Sequence, residues 1–234
     1  MTRTDPSANE LRRQIVQANH ILVRHSVLDA FGHVSARLSG DSFLLSRNLA
    51  PGQVSTDDLQ VHHLDGTVDD DRAPYLESHI HTEIYRARPD VAAVVHSHSA
   101  AILPFGLTDV PFVPVMHMAG FLGSRAPVYD QRNEVADGTD LLVTDGDRGA
   151  ALAHVLGDRP LVLMRGHGST AVGGSVPEVT YRAIYAEVNA SVLLAALPLG
   201  SPVHLTRSEA ATATTSIGGQ IRRAWDVWCA QIQS

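Results

Sequence analysis

The run Val91-Ala92-Ala93-Val94-Val95-His96-Ser97-His98 constrains this chain more than any other stretch. A short, nearly continuous series of small and β-branched apolar residues reads as a buried strand, and this one ends in two histidines two apart. Residues two apart in a strand point to the same face, so His96 and His98 project side by side, with Cβ atoms roughly 6–7 Å apart. Two imidazoles at that spacing can converge on one ion. Two polar residues where a strand leaves the core would look the same, so the pair needs company before it means a metal.

The pattern on either side supplies the architecture. Ser7-Ala8-Asn9-Glu10 is a capping box for a helix with Leu11, Ile15, Ala18 and Leu22 on one face, running to about residue 30. Strand-like pieces over 33–38 and 43–46 flank the turn Ser39-Gly40-Asp41 and read as a hairpin. Ser55-Thr56-Asp57-Asp58 reads as a short helical turn, and a second hairpin, 59–64 with 67–68, closes at Asp65-Gly66. A helix over 76–88 follows Pro74 and is stopped by Pro89. Beyond the 91–98 strand the pattern predicts a strand over 110–117 and a helix over 137–156. A strand over 161–165 is broken by Gly166-His167-Gly168 and resumes over 170–172. Ser175-Val176-Pro177-Glu178 opens a long helix ending before Pro198, and 208–230 is the last helix. There is no repeat, no linker and no glycine-rich nucleotide loop. The mixture describes one α/β or α+β domain with a mixed or largely antiparallel sheet.

Composition narrows the partners. The 234 residues fit one large domain or two small ones. The net charge of −7, with no basic cluster, argues against nucleic acid or an anionic membrane. The single cysteine, Cys229, allows no internal disulfide and fits a reducing compartment. The stretch MTRTDPSANELRRQ has no apolar run of the signal-peptide kind. No window approaches ~18 uninterrupted apolar residues. The expectation is a cytoplasmic protein without a membrane span.

Three features strengthen the metal reading of His96 and His98. Glu77 and His81, four apart, share a face of the helix that leads into the strand. His167 sits between two glycines, which let a backbone turn close to a site. The acid, the strand pair and the glycine-flanked histidine come from separate segments, as in tetrahedral sites with an open position. Taken singly, Glu77 reads as a solvated acid and His81 as a helix-face histidine or one standing behind the ligands. Of the other histidines, one of His62 and His63 faces solvent, and His20, His25, His154 and His204 read as surface or core-edge residues. Trp225 and Trp228 read as a packing stripe, and Tyr181 and Tyr185 as core or interface.

Gly32-His33-Val34-Ser35-Ala36-Arg37, then Glu77 with His81, then His96-Ser97-His98, then Gly166-His167-Gly168 resemble, in this order and spacing, the class II aldolase/adducin family. The resemblance runs from about residue 10 to 200 and makes 1–234 a single domain. It implies a three-layer α/β/α sandwich with a central mixed, mainly antiparallel sheet. It implies one divalent metal ion held by His96, His98 and His167, zinc first, with manganese, iron or cobalt as alternatives. Glu77 joins the metal or acts as general acid/base. A homotetramer with active sites near subunit interfaces is also implied.

Where the chain departs from the family's sugar-phosphate aldolases, the departures agree with one another. Those enzymes hold phosphate with Gly-Asn near the first strand, a Ser/Thr-Gly loop on the next, and Ser-Ser before the acid. Here His33 replaces the asparagine, the loop reads Ser46-Arg47-Asn48-Leu49-Ala50-Pro51, and Tyr75-Leu76 replaces the serine pair. A tyrosine that some aldolases lend to a neighbouring subunit is matched by His117-Met118. These residues are similar to the branch that decarboxylates dihydroxylated aromatic acids such as 3,4-dihydroxyphthalate. Decarboxylation and retro-aldol cleavage both leave a carbanion whose charge a metal can stabilise. Glu77, then His79 or His117, are the expected proton donors. Arg47 is expected to hold a carboxylate through paired hydrogen bonds, with Ser46, His33, Arg37 and Tyr75 also binding substrate. For both arginines the plainer reading is a surface salt bridge. The rival functions are an aldolase on a non-phosphorylated or sugar-phosphate substrate, a non-catalytic adducin-type head that has lost its ligands, and an iron-dependent oxygenase.

Overall fold

The computed structural model describes residues 7–134 and 138–233. The chain runs α1 (Ala8–Arg24), β1 (His33–Ser39), β2 (Ser42–Ser46), β3 (Leu59–His63), α2 (Ser78–Ala87), β4 (Ala93–Ser97), α3 (Leu103–Leu107), β5 (Val128–Tyr129), α4 (Gly146–Leu156), β6 (Leu161–Met164), β7 (Gly168–Gly173), α5 (Val176–Ala196), α6 (Arg207–Gly218) and α7 (Ile221–Gln231). The strands form one seven-stranded sheet in the order β3-β2-β1-β4-β7-β6-β5. Every pairing is antiparallel except β5 with β6.

Strand alternation sorts the side chains into two cores. Val34, Ala36, Leu44, Ala93, Val95, Leu163 and Ala171 pack with α1, α5 and α7. Phe43, Leu45, Val94, Val162, Met164 and Val172 pack with α2 and α4 on the opposite face. The result is the α/β/α sandwich that the resemblance implies. Cross-strand partners share a face, so His33, paired with His96 across β1 and β4, projects on the α2 side with it. On this face β1 carries His33 and Ser35, both buried, beside His96 of β4 and Thr170 of β7.

The helices begin where the sequence places their caps. Ser7 accepts from the Glu10 N–H and Ser175 from the Glu178 N–H. Their ends are set by features the periodicity does not show. α1 stops at Arg24, short of residue 30, because Ser26 adopts φ 57 and the Val27 N–H turns back to Leu22. The predicted 208–230 helix is two helices, α6 and α7, parted at Gly218-Gly219. The Val176–Leu199 stretch is long and apolar enough to cross a membrane by length and composition. Its buried residues, Val179, Ile184 and Ala186 among them, pack on β4, β7 and α1.

Two predicted elements are not formed as expected. Residues 110–117 join no sheet, and the last of them opens the 3-10 turn His117–Leu122. Pro111 and Pro114 remove two ladder donors, and Asn189 of α5 serves the segment instead. The Asn189 side chain accepts from the Val115 N–H at 2.9 Å and donates to the Val113 carbonyl at 2.9 Å. The 137–156 helix begins only at Gly146, capped by Asp145; its predicted first residue, Asp137, lies outside the described residues. Leu141 to Val143, within the stretch whose pattern predicts helix, instead crosses the end of the sheet beside the histidines.

Candidate metal centre

Four side chains converge because four element ends do. His96 is on β4 and His98 follows it. His167 is carried by the tight β6–β7 turn, where Gly166 takes φ 67. That turn lies hard against the end of β4: a Cβ on Gly168 would fall 2.0 Å from the Ser97 carbonyl oxygen. Glu77 is the N-cap residue of α2, yet its side chain does not cap the helix. One carboxylate oxygen, Oε1, accepts from the Val143 N–H at 2.9 Å, and Oε2 is 3.5 Å from His167 Nε2 and 3.7 Å from His96 Nε2.

One donor atom from each of Glu77, His96, His98 and His167 lies within 4.8 Å of all the others. His98 Nε2 is 3.0 Å from both His96 Nε2 and His167 Nε2. Lone pairs on neighbouring imidazoles repel unless a proton or a cation lies between them. A tetrahedral ion with bonds of about 2.0–2.1 Å to nitrogen would space its ligands about 3.3 Å apart, so the set fits a divalent ion. The outer nitrogens are also engaged, as ligand orientation requires. His167 Nδ1–H donates to the Leu141 carbonyl at 2.8 Å, which leaves the Nε2 lone pair facing inward, and His96 Nδ1 is 3.3 Å from Thr170 Oγ1. Leu141 holds φ 68, a costly conformation for a non-glycine residue.

Burial is the largest influence on every member. It would raise Glu77, but the hydrogen bond from His167 and the charges of His96 and His167 outweigh it and hold the carboxyl well below its usual range. Burial pushes His96 far below the ordinary imidazole value, against the pull of Glu77. His98 is lowered by burial and then by His167. His167 alone is raised: burial opposes, but Glu77 prevails through its hydrogen bond and charge. Without an ion the cluster is a carboxylate with one readily protonated imidazole, the arrangement whose proton a divalent cation displaces.

A cavity of about 290 Å³ opens beside the cluster. Phe31, Leu49, Leu76 and Leu142 give it apolar walls, and Glu77, His98, His33 and Tyr75 give it polar ones. Phe31 and Leu76 stand at its rim, 65% and 67% exposed.

The profile of the Class II Aldolase and Adducin N-terminal domain matches residues 13–194. The chain belongs to the class II aldolase and adducin family. Among its relatives, Decarboxylase tropJ of Talaromyces stipitatus is 38% identical, over 95% of this chain and 94% of its own. The 3,4-dihydroxyphthalate decarboxylase of Arthrobacter keyseri is 30% identical over 78% and 77%. The fold is shared with an aldolase II superfamily protein from Pseudomonas syringae (TM-score 0.80, 22% identity, 99% of this chain and 95% of that one). It is also shared with the L-fuculose 1-phosphate aldolase of Glaciozyma antarctica (TM-score 0.78, 21% identity, 100% and 94%).

The remaining candidates fall into three groups. His33 and Tyr75 line the cavity with ring centroids 4.6 Å apart. Ser46 is buried behind them, its hydroxyl 3.4 Å from that of Tyr75. Arg47 and Arg37 are engaged elsewhere. Arg47 donates to Asp58 at 2.8 Å, the salt-bridge reading, and Arg37 donates to the carbonyls of Tyr85, Arg88 and Val91. No arginine lines the cavity among the described residues. His79 and His117 are outside the cluster. His79 is half-buried in the first turn of α2, where its backbone meets Gly149 of α4. His117 is exposed at the start of the 3-10 turn His117–Leu122 and borders a separate small cavity with Met118, Phe121 and Tyr181. His81 holds no place in the donor set; it stands behind His33. Leu141, Val143 and Thr170 support the ligands, and no sequence pattern marks the first two, which act through backbone atoms.

Proposed function

We propose that this chain is a divalent-metal-dependent decarboxylase of a dihydroxylated aromatic carboxylate, with 3,4-dihydroxyphthalate as the first candidate substrate. The observation that carries this reading is the three-imidazole, one-carboxylate donor set opening onto a cavity with apolar walls and no arginine among its described lining residues. A flat aromatic ring suits such walls. The decarboxylase relatives, similar over most of their length, support it further. His96, His98 and His167 would hold the ion, with Glu77 beside it as the base; imidazole-rich donors favour zinc, with iron, manganese and cobalt next.

A bound ion would supply Lewis-acid stabilisation of the negative charge that ring electrons place on a substrate oxygen. Phe31, Leu49, Leu76 and Leu142 exclude water and seat the ring. Tyr75 donates its hydroxyl proton to the Leu49 carbonyl, which fixes it as a wall. Glu77 is a carboxylate at neutral pH and therefore starts as a base. It takes the proton of a phenolic hydroxyl and returns it to the ring carbon that bears the leaving carboxylate. The carbon–carbon bond then breaks toward the ring and CO₂ departs. The test is a panel of catechol carboxylates and hydroxy-aldehyde adducts, a sugar phosphate included, read by mass spectrometry on metal-loaded protein. Loss of CO₂ from the catechol acids supports the reading, and release of an aldehyde would make the chain an aldolase.

We also infer a homotetramer. Val188 and Val192 of α5, 37% and 44% exposed, and Leu199 and Val203, at 90% and 91%, give the surface apolar side chains suited to subunit contact. In such an assembly His117 would reach a neighbour's site, which is the one way it could serve as a proton donor.

A further inference from the structure

Behind the cavity a line of four side chains leads inward from His33. His33 Nδ1 is 2.6 Å from His81 Nε2. His81 Nδ1 is 2.6 Å from Ser35 Oγ, and Ser35 Oγ is 2.8 Å from the Tyr85 hydroxyl. All four residues are buried, Tyr85 to 1% exposure. Each link has one proton to share, so the line can point only one way at a time. Suppose His33 donates to His81, His81 to Ser35 and Ser35 to Tyr85. The Tyr85 hydroxyl proton then has no acceptor among the described residues, in the apolar core beside Phe43 and Ile84. If Ser35 accepts from both neighbours, its own proton is stranded instead. Only the opposite polarity, Tyr85 to Ser35 to His81 to His33, uses every buried proton. A stranded buried donor biases the equilibrium by ~10-fold or more.

We infer that Tyr85, Ser35 and His81 are positioning residues that fix His33 as its Nε2–H tautomer, so that a neutral imidazole presents a hydrogen-bond donor to an oxygen of the ligand in the cavity. His33 lines that cavity, and its Nε2 has no partner among the described residues and is not walled off from solvent. Its ring centroid is 5.0 Å from that of His96, so the donor sits at the edge of the metal centre. The ligand class, an aromatic acid with carboxylate and phenolic oxygens, rests on the function proposed above; the tautomer does not.

The experiment is nitrogen NMR of ¹⁵N-histidine-labelled protein with zinc added, His33 being assigned by the signals lost in His33→Gln. The expected result is a pyrrole-type Nε2 and a pyridine-type Nδ1 at His33, kept in Tyr85→Phe, where Ser35 still donates to His81, and shifting toward a mixture of tautomers in Ser35→Ala. A protonated His33 Nδ1 in the wild type overturns the inference, as does a tautomer that Ser35→Ala leaves undisturbed. Ser35→Ala is expected to raise KM for a catechol acid ~10-fold with kcat and zinc content little changed; an unchanged KM beside a disturbed tautomer would overturn the ligand-donor role. If no aromatic acid is turned over, the function fails and the tautomer is still decided.

Discussion

At Glu77 the demands of ligand and base meet in one side chain. Its Oε1 is tied to Val143 and its Oε2 faces two imidazoles, so its position does not depend on substrate. Glu77→Gln keeps the shape and removes the charge. It is expected to retain most of the metal and to lose ~10²–10⁴-fold in kcat, measured as turnover per bound metal; a near-normal rate would remove Glu77 from the chemistry. His96→Ala and His167→Ala are expected to lose metal and activity together, read as zinc per chain after dialysis. The raised value of His167 adds a pH dependence. Proton and metal compete for the same nitrogen, so zinc affinity should weaken as pH falls from about 8 to about 6, across the ordinary imidazole value. Competition titration with a chelating dye gives the affinity at each pH, and a flat profile would contradict this assignment.

At the scale of elements, the turn joining β6 to β7 brings His167 to the strand of His96. Gly168→Ala would force the turn away from Ser97, and overpacking against backbone costs about 3 kcal/mol. A lowered urea midpoint together with weaker zinc binding is expected; unchanged values for both would mean the two segments are not tightly apposed. β3 gives a different test. His62 is buried against Phe43, with ring centroids 5.1 Å apart and no partner for Nε2, and burial lowers it from 6.5 to about 4. Above pH ~6.5 both folded and unfolded chains are neutral at this position. Between ~6.5 and ~4 the unfolded chain binds a proton that the folded one refuses, so stability falls with pH by at most about 3 kcal/mol and then levels. His62→Leu should therefore narrow the gap in urea midpoint between neutral and acidic pH, and an unchanged gap would show that His62 is not held neutral.

These elements also show why the sequence is legible in some places and silent in others. The His-Ser-His strand, the Gly-His-Gly turn, the hairpins and the capping serines are local devices, written where they act. Pro111 and Pro114 were equally local, but their consequence depended on Asn189, a partner far along the chain. The engagement of Arg47 by Asp58 is a tertiary choice of partner, invisible in the pattern around either residue. Leu141 and Val143 serve the centre through a carbonyl and an N–H, which every residue has.

For the whole molecule, the sheet holds the donors at one end and the two helical layers close around them, leaving the cavity as the approach. A tetramer would cover the exposed apolar residues of α5; size-exclusion chromatography with light scattering should give the mass of four chains, and a monomer at micromolar concentration would contradict it. The most direct measurement of the reaction is mass spectrometry of 3,4-dihydroxyphthalate and a sugar phosphate, each incubated with zinc-loaded and chelator-stripped protein. CO₂ is expected to be lost from the aromatic acid with the zinc-loaded protein alone. Aldehyde released from the sugar phosphate, with the aromatic acid intact, would contradict it.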